Sequence, residues 1–139
     1  MGLFSKFFGK KEPAVPGKIR PHVEQLAKDF GFKVKKSVIS ASFGDFCVIL
    51  GSDDFWVQMT SDRSQEFVEL SYDKGDHWVF IGYMRNILYQ DIPLKDCHIH
   101  SFDENSRFIE ENYSAIKNLF SAENVASTKK ILKQRYNVW

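Results

Sequence analysis

Cysteine is scarce in this chain, which has only two cysteines in 139 residues and therefore no disulfide framework. Cys47 lies inside the apolar run FCVIL and is expected to be a small buried hydrophobe, whereas Cys97 lies in DCHIH. A signal peptide is also lacking, and no apolar run approaches the ~18 residues that a membrane-spanning helix needs. These absences predict a protein of the reducing cytoplasm.

Net charge is nearly absent as well, because 19 Lys and Arg balance 18 Asp and Glu to give +1. The overall charge therefore gives no argument for nucleic acid or for an anionic membrane as a partner. The acids are nevertheless concentrated, since residues 53–76 hold seven acids and only two basic side chains. These acids are Asp53, Asp54, Asp62, Glu66, Glu69, Asp73 and Asp76. They form either an ordinary solvated face or an acidic surface that steers a basic partner.

The sequence also lacks the common motifs of catalysis: it has no G-x-S-x-G, no phosphate-binding loop and no G-x-G-x-x-G. Cys97 and His98 are neighbours in the chain, which does not create the geometry of a nucleophile and its base. His98 and His100 would share one side of a strand, but two imidazoles are too few for zinc unless His22 or His77 joins them. We therefore expect no enzyme activity, no cofactor and no metal site.

The first residues differ in character from the rest of the chain. Residues 1–16 are interpreted as an appendage, because MGLFSKFFGKK leads into EPAVPG, whose prolines favour extended backbone. The apolar side chains of the appendage can share one helical face beside its lysines; they are Leu3, Phe4, Phe7 and Phe8. Such a helix can lie on an anionic membrane or dock on its own domain. Residues 17–139 are expected to form a single α+β domain.

A leading helix is predicted for RPHVEQLAKDF (20–30), since Pro21 suits its first turn and Gly31 its end. Strand signals follow in FKVKKSVISA (32–41), FCVIL (46–50), the alternating residues 55–60 and the returning residues 66–70. Short polar turns between them, including TSDRSQ, predict a four-stranded antiparallel meander. Because FCVIL is apolar on both faces, we expect it to be central and covered on each side.

The last third of the chain is predicted to be helical. HWVFIGYMRNILYQ (77–90) is interpreted as a loop leading into a helix from about Val79, with a strand in 78–82 as the alternative. Ser101 and Glu104 match a capping box, and the helix that follows carries an apolar stripe formed by Ile109, Tyr113, Ile116 and Phe120. With a last helix over about 123–136, the predicted class is α+β: a leading helix, a four-stranded antiparallel sheet and about three C-terminal helices.

Trp56 and Phe67 lie on neighbouring predicted strands. If both occupy the outer face of the sheet, they form a partly apolar platform ringed by Glu66, Glu69 and Asp73. Aromatic side chains inside a charged rim are typical of protein recognition. The alternative is that a helix covers them.

The stretch from Phe43 to about Leu88 resembles a pattern found in immunity proteins of bacterial polymorphic-toxin systems, including contact-dependent growth inhibition. That pattern is a strand, a polar turn, a strand ending near Asp-Arg-Gly, another strand and a Trp-led helix. Here it reads FGDFCVILGSDDFWVQMTSDRSQEFVELSY, followed by HWVFIGYMRNIL. Asp62-Arg63 and Trp78 match the pattern, and Ser64 replaces its glycine.

The resemblance implies a protein that binds one cognate toxin domain, often a nuclease, and blocks it without catalysis. Since a nuclease site is commonly basic, an acidic surface would complement it. The expected partner-binding residues are Asp53, Asp54, Trp56, Glu66, Phe67, Glu69, Asp73 and Asp76. Asp62, Arg63 and Trp78 are expected to be structural. Asp62 would accept hydrogen bonds from turn amides, and Arg63 would pair with a carboxylate on the sheet.

Two other functions stay open at this point. A peripheral membrane adaptor would use residues 1–11 to contact lipid. A small enzyme or ligand-binding domain would have a concave, polar-lined pocket between the sheet and the helices.

Overall fold

The computed structural model describes residues 13–40, 44–98 and 100–138 and shows an α+β fold. Helix α1 (Arg20–Phe30) comes first, and five strands follow: β1 (Lys33–Ile39), β2 (Phe46–Gly51), β3 (Trp56–Asp62), β4 (Gln65–Ser71) and the short β5 (Val79–Phe80). The remaining elements are helix α2 (Ile81–Leu88), a 3-10 turn (Leu94–Cys97), helix α3 (Phe102–Leu119) and helix α4 (Val125–Tyr136). The predicted order of a leading helix, a sheet and three helices is confirmed.

The strands form one antiparallel sheet in the order β1-β2-β3-β4-β5, so each strand pairs with its neighbour in the chain. The predicted four-stranded meander is therefore confirmed, and β5 adds a short fifth strand. Arg63 and Ser64 alone connect β3 to β4, since Asp62 pairs with Gln65. Both connecting residues have positive φ, 52° and 69°, as a type I′ hairpin turn requires.

One face of the sheet, which we call the inner face, packs against the helices. On β2 the inner side chains are Phe46, Val48 and Leu50, and all three are buried. Cys47 and Ile49 point to the other face, the outer face, where they are only half-buried. The expectation that both faces of this strand are covered is not met by the described residues. The outer side chains lie beside neighbours on adjacent strands, and no described helix forms a second layer over them.

The core lies between the inner face and helices α1 and α3. Tyr113 stands at its centre on α3, stacked on Phe30 with ring centroids 4.3 Å apart. The same ring lies 4.9 Å from Phe55 and 5.9 Å from Phe32. Of the stripe predicted for α3, Ile109, Tyr113, Ile116 and Phe120 are all buried. The helical spacing thus identified the side chains that face the sheet.

Helix boundaries follow local sequence signals with two corrections. The capping box of Ser101 and Glu104 is present at the start of α3, and Gly31 ends α1 with φ 76°. Helix α2 begins at Ile81, not at Val79, because Val79 and Phe80 first pair with β4. A two-residue strand carries no periodic pattern, so only pairing with the edge of β4 defines it. The last helix begins at Val125, two residues after the predicted start.

Leu50 tests the assignment of the inner face. We expect Leu50→Ala to lower the free energy of unfolding by about 2–5 kcal/mol, because Leu50 has no exposed surface and its removal leaves a cavity. Ile49→Ala is the matched control on the half-buried outer face and should cost less than about 1.5 kcal/mol. Urea denaturation of both variants gives the comparison. Equal losses would contradict the division into two faces.

Ser64 tests the hairpin turn. A non-glycine residue at positive φ is strained, and glycine relieves that strain. We expect Ser64→Gly to raise the free energy of unfolding by about 0.5–1 kcal/mol, after the higher entropy of glycine in the unfolded chain is subtracted. The control is Gln65→Gly, one position later in the extended strand β4, which should be destabilising. A loss of stability in Ser64→Gly would contradict the type I′ turn.

Candidate partner-binding surface

The outer face of the sheet carries an apolar row that crosses four strands. Val38 pairs with Cys47, Cys47 with Thr60, and Thr60 with Phe67. We call these four residues the apolar row. Its two ends are the most open, with Val38 53% and Phe67 38% exposed. Large apolar side chains aligned on an exposed sheet face are typical of protein-binding surfaces.

Trp56 lies on the same outer face but not in the apolar row. It pairs with Gly51 and Ser71 at the far end of β3, while Phe67 lies opposite Thr60 near the hairpin turn. Gln58 and Glu69 lie between the two aromatic side chains and are joined by a hydrogen bond of 2.8 Å. The structure therefore separates Trp56 from Phe67, so the single platform expected from the sequence becomes two sites on one face.

Trp56 is half-buried and has close neighbours of its own. The Lys35 ammonium lies 5.6 Å from the centre of its ring, a distance typical of cation–π contacts. Gly75 lies against both Trp56 and Trp78, since a Cβ atom placed there would be 3.5 Å from the former and 3.4 Å from the latter. The two indoles thus fix the loop between β4 and β5. This placement fits the structural role expected for Trp78.

The acids predicted to bind a partner divide into solvated and structural groups. Asp53 and Asp76 are exposed at the end of the sheet that carries Trp56. Asp73, in the β4–β5 loop, accepts hydrogen bonds from Ser71 Oγ at 2.8 Å and from the backbone N–H of His77 at 2.9 Å. Burial alone would raise the pKa of Asp73, but the hydrogen bonds from His77 and Ser71 outweigh burial and lower it. Asp73 therefore holds its own loop.

Asp54 joins the β2–β3 turn to helix α3. It accepts a hydrogen bond of 2.7 Å from the Tyr113 hydroxyl, and Lys117 Nζ lies 3.8 Å away. Burial and the nearby Asp54 carboxylate raise the pKa of Tyr113 to about 12. Tyr113 consequently stays protonated at neutral pH and acts as a donor. The contacts described for Asp54 are internal to the fold.

Glu66 points away from Phe67, to the inner face of the sheet. Its carboxylate accepts a hydrogen bond of 2.7 Å from the backbone N–H of Phe102 and forms an ion pair with Lys18 Nζ, also at 2.7 Å. Burial opposes ionisation, but the bonds from Lys18 and Phe102 outweigh it and lower the pKa of Glu66. Glu66 thus anchors the first turn of α3. The alternation of side chains along β4 already places it opposite Phe67.

The Asp62-Arg63 pair lies at the tip of the hairpin, where both residues are exposed. The backbone N–H of Arg63 donates a hydrogen bond of 2.8 Å to the Asp45 carboxylate. Asp45 precedes β2, so this bond links two neighbouring turns. The acceptor of this turn amide is therefore Asp45 and not Asp62, and the bond is made by the backbone of Arg63 and not by its side chain.

The histidines of CHIH have separate environments. The His98 ring lies 5.3 Å from the ring centre of Phe80 and 5.8 Å from that of Tyr83. His100 hydrogen-bonds through Nε2 to the Asp96 carbonyl at 2.8 Å. Within residues 13–40, 44–98 and 100–138 no group of three or more His, Cys, Asp and Glu side chains is arranged to hold a metal ion.

Arg85 on helix α2 is a buried cation that the sequence pattern did not single out. Its guanidinium donates to Asn105 Oδ1 at 2.8 Å and to the Cys97 carbonyl at 3.4 Å, and it lies 4.5 Å from the centre of the Phe108 ring. Burial lowers the pKa of Arg85. These contacts bind α2 to α3 and to the 3-10 turn, so this cation is part of the scaffold behind the sheet.

A groove opens beside the exposed end of the apolar row. Its volume is about 450 Å³, and it is lined by Ser64, Gln65, Glu66, Phe67, Phe80, His98, His100 and Ser101. Phe67 therefore belongs both to the apolar row and to the groove wall. This groove could not be predicted from the sequence, because its far wall comes from Phe80, His98, His100 and Ser101, which are distant from residues 64–67 in the chain.

The comparisons with known proteins give no assignment. No model of a protein family matches the chain, and no curated protein and no solved structure matches it. Among the helices that the structure describes, none is both long and apolar enough to cross a membrane.

The anchoring role of Glu66 predicts a dependence of stability on pH. Its pKa is lower in the folded protein than in the unfolded chain, so the carboxylate stabilises the fold above the ordinary pKa of 4.5, and this contribution is lost as the pH falls through the folded-state value. We expect Glu66→Gln to cost about 1–2 kcal/mol at pH 7, since a charge-assisted hydrogen bond is lost.

Chemical denaturation as a function of pH measures this effect. The difference between the parent and Glu66→Gln should shrink as the pH falls below 4.5. Glu69→Gln, on the outer face of the same strand, is the control and should change stability by less than about 0.5 kcal/mol. A difference that does not vary with pH would contradict the role given to the Glu66 charge.

Proposed function

We propose that this chain is an immunity protein that binds a cognate bacterial toxin domain one-to-one and neutralises it without catalysis. The observation that carries the proposal is the outer face of the sheet. Within the part of the chain that the structure describes, helices pack on the inner face only, and the outer face presents an apolar row with Val38 and Phe67 exposed. An apolar strip among polar and charged side chains has the composition of a protein-binding surface.

The geometry of the resembling segment supports the proposal. Asp62 ends β3 and Gln65 begins β4, so Arg63 and Ser64 form a two-residue turn at the place where the family pattern has Asp-Arg-Gly. Ser64 has φ 69°, a conformation that glycine adopts without strain. The turn of this chain therefore has the shape that the glycine of the pattern would favour. Trp78 does not begin helix α2 as the family pattern has it: the two-residue strand β5 separates Trp78 from the helix start at Ile81.

The exposed acids around β3 and β4 suit a basic partner, whereas the β1 side of the outer face carries Lys33, Lys35 and Lys36. Asp53, Asp62 and Asp76 are exposed at the two ends of the sheet, and Glu69 lies half-buried between them. A nuclease toxin binds a polyanion and so tends to have a basic surface. Carboxylates placed opposite such a surface accelerate the encounter and disfavour acidic competitors.

Of the alternatives, the ligand-binding domain has an observation in its favour, namely the groove of about 450 Å³. That volume falls in the range of small-molecule sites. The groove is nevertheless continuous with the apolar row through Phe67, which favours a single extended protein interface. The peripheral membrane adaptor depends on residues 1–11, which lie outside the described residues.

Charge reversal tests the steering role of the acids. We expect the triple variant Asp53→Lys, Asp62→Lys and Asp76→Lys to lower the association rate about tenfold at low salt and only about twofold at ~0.3 M salt, because screening weakens charge interactions between exposed groups. The partner is the cognate toxin domain, identified first by a pull-down with this chain from its native host, and stopped-flow fluorescence gives the rates. Circular dichroism must first show that the variant is folded.

A matched control variant distinguishes the effect of local charge on the association rate from the effect of overall net charge. The control combines Glu24→Lys on α1, Glu111→Lys on α3 and Glu123→Lys in the turn before α4, and it changes the net charge by the same amount away from the outer face. This control should retain most of the association rate at low salt. If both triple variants slow association equally, the acids of the outer face have no special role in steering.

Phe67→Ala tests the apolar row. Removing an interface aromatic at a hot spot costs about 2 kcal/mol, which corresponds to roughly a 30-fold faster dissociation. Thr60→Ala, in the same row, is the control and should have a small effect. A Phe67→Ala protein that is folded, binds with the parent's dissociation rate and protects cells from the toxin would exclude the apolar row as the interface.

A further inference from the structure

A second row of side chains crosses the outer face beside the apolar row. Lys36 pairs with Ile49, Ile49 with Gln58, and Gln58 with Glu69. We call these four residues the charged row, since it begins with a cation on β1 and ends with an anion on β4. It lies two positions away along each strand, which places it about 7 Å from the apolar row.

The two charges of the charged row are too far apart to pair within one chain. Neighbouring strands lie about 4.8 Å apart, so β1 and β4 are separated by about 14 Å. Lys36 is exposed, whereas Glu69 is half-buried and accepts a hydrogen bond from Gln58. Within residues 13–40, 44–98 and 100–138, neither Lys36 nor Glu69 has an ion-pair partner. Each charge is therefore available to another molecule.

A second copy of this chain carries the charges that complement this face. Two sheets can stack outer face on outer face about a two-fold axis that runs parallel to the strands. Because that axis reverses the order of the strands, β1 of one copy lies opposite β4 of the other. Each row keeps its level along the strands, so Lys36 faces the partner's Glu69 and, by symmetry, Glu69 faces the partner's Lys36.

The apolar row is complementary to itself about the same axis. Val38 lies opposite the partner's Phe67, so the two most exposed ends of the row, at 53% and 38%, cover each other. A two-fold axis perpendicular to the strands would instead place β1 opposite β1 and bring its lysines together. The charges of the outer face therefore select the axis that is parallel to the strands.

We propose that, without a toxin domain, two copies of this chain form a symmetric dimer through their outer faces, with β1 of each copy opposite β4 of the other. The dimer removes Val38 and Phe67 from water and pairs both ends of the charged row. This inference goes beyond the proposed function, because it needs only this chain. Since the toxin domain is proposed to bind the same face, it displaces the second copy.

The size of the outer face sets the strength of the dimer. Four strands about 4.8 Å apart, with three outer residues each about 7 Å apart, give a contact of roughly 400 Å² on each copy. An interface of standard size buries about 800 Å² on each partner, and smaller ones are transient. We therefore expect a dissociation constant on the order of 10–100 μM. A dimer of this strength dissociates readily and leaves the face to a tighter partner.

Charge exchange between the two positions tests the inference in the full chain. Lys36→Glu brings two pairs of carboxylates together in the dimer, and Glu69→Lys brings two pairs of ammonium groups together. Sedimentation equilibrium at low salt should give both variants a dissociation constant at least about tenfold higher than the parent's. The double variant Lys36→Glu, Glu69→Lys restores opposite charges and should regain the dimer. Lys28→Glu, exposed on α1, is the control and should dimerise like the parent.

A mixture of the two single variants gives an independent measurement. Lys36→Glu offers a carboxylate at both contacts and Glu69→Lys offers an ammonium group at both, so their heterodimer has two attractive pairs. We expect the equimolar mixture to dimerise at a concentration where each variant alone is mainly monomeric. A mixture of Lys28→Glu with Glu69→Lys has the same net charges and should add no dimer to that of Lys28→Glu alone.

The parent chain provides a further measurement that needs no variant. Dilution through the dissociation constant should shift the NMR amide signals of Val38 and Phe67 and leave those of helix α4 unchanged. If a charge variant does not fold by circular dichroism, these dilution data still decide.

The outcomes are distinct. A parent that stays monomeric up to about 1 mM overturns the inference and leaves the proposed function standing. A dimer that tolerates both single variants, or whose shift changes lie on the helices, also overturns it, because a different face then forms the contact. A dimer that responds as expected, while no complex with a toxin domain is found, supports the inference and overturns the proposed function alone.

Discussion

Helix α3 packs across the inner face of the sheet, and the placement of the other elements depends on that contact. Its first turn is held by Glu66 on β4, whose carboxylate accepts from the Phe102 N–H. Further along, Tyr113 donates to Asp54 in the β2–β3 turn and lies among the rings of three phenylalanines. Two carboxylates from opposite ends of the sheet thus fix one helix. Both come from the acid-rich segment that suggested a binding surface.

The acids of residues 53–76 therefore have two separate roles, which are contacts within the fold and recognition of a partner. Side chains alternate along a strand, so neighbouring acids cannot all face one partner. Glu66 and Asp54 contact α3, and Asp73 holds the loop before β5. The exposed carboxylates remain for recognition. A net excess of acids in a segment therefore overstates the charge of the surface it forms, because part of that charge is neutralised inside the fold.

Much of the fold could be predicted from the sequence because its long elements have strong periodic signals. Helix α1, the capping box of Ser101 and the stripe of α3 follow the helical period, and the meander follows short polar turns between alternating strands. The short β5 could not be predicted, since two residues carry no period. The described residues do not cover both faces of β2 as expected. Apolar composition indicates that a strand is shielded from water, but it does not identify what shields the strand.

Less of the candidate site could be predicted from the sequence. The sequence predicts Trp56 and Phe67 on adjacent strands and leaves open whether a helix covers them; both lie on the outer face, but the register sets Gln58 and Glu69 between them. The register of β3 and β4 is set by the length of the turn between them. The turn has only two residues because Arg63 and Ser64 adopt positive φ, which the sequence does not indicate. The groove joins β4 to His98, His100 and Ser101 through tertiary packing alone. No local pattern in either segment encodes their proximity.

The outer face raises a question of specificity for the function proposed above. Apolar contact at Val38 and Phe67 would suit any partner with a complementary apolar patch, so it cannot by itself distinguish one toxin from another. Discrimination must come from the polar side chains around the apolar row, where a poor match leaves a polar group unpaired or a cavity unfilled. Asp62 and Glu69 lie on the two sides of Phe67 along the outer face, so they disfavour an acidic side chain next to it. The apolar contact then supplies affinity, while the charged side chains beside it supply the choice of partner.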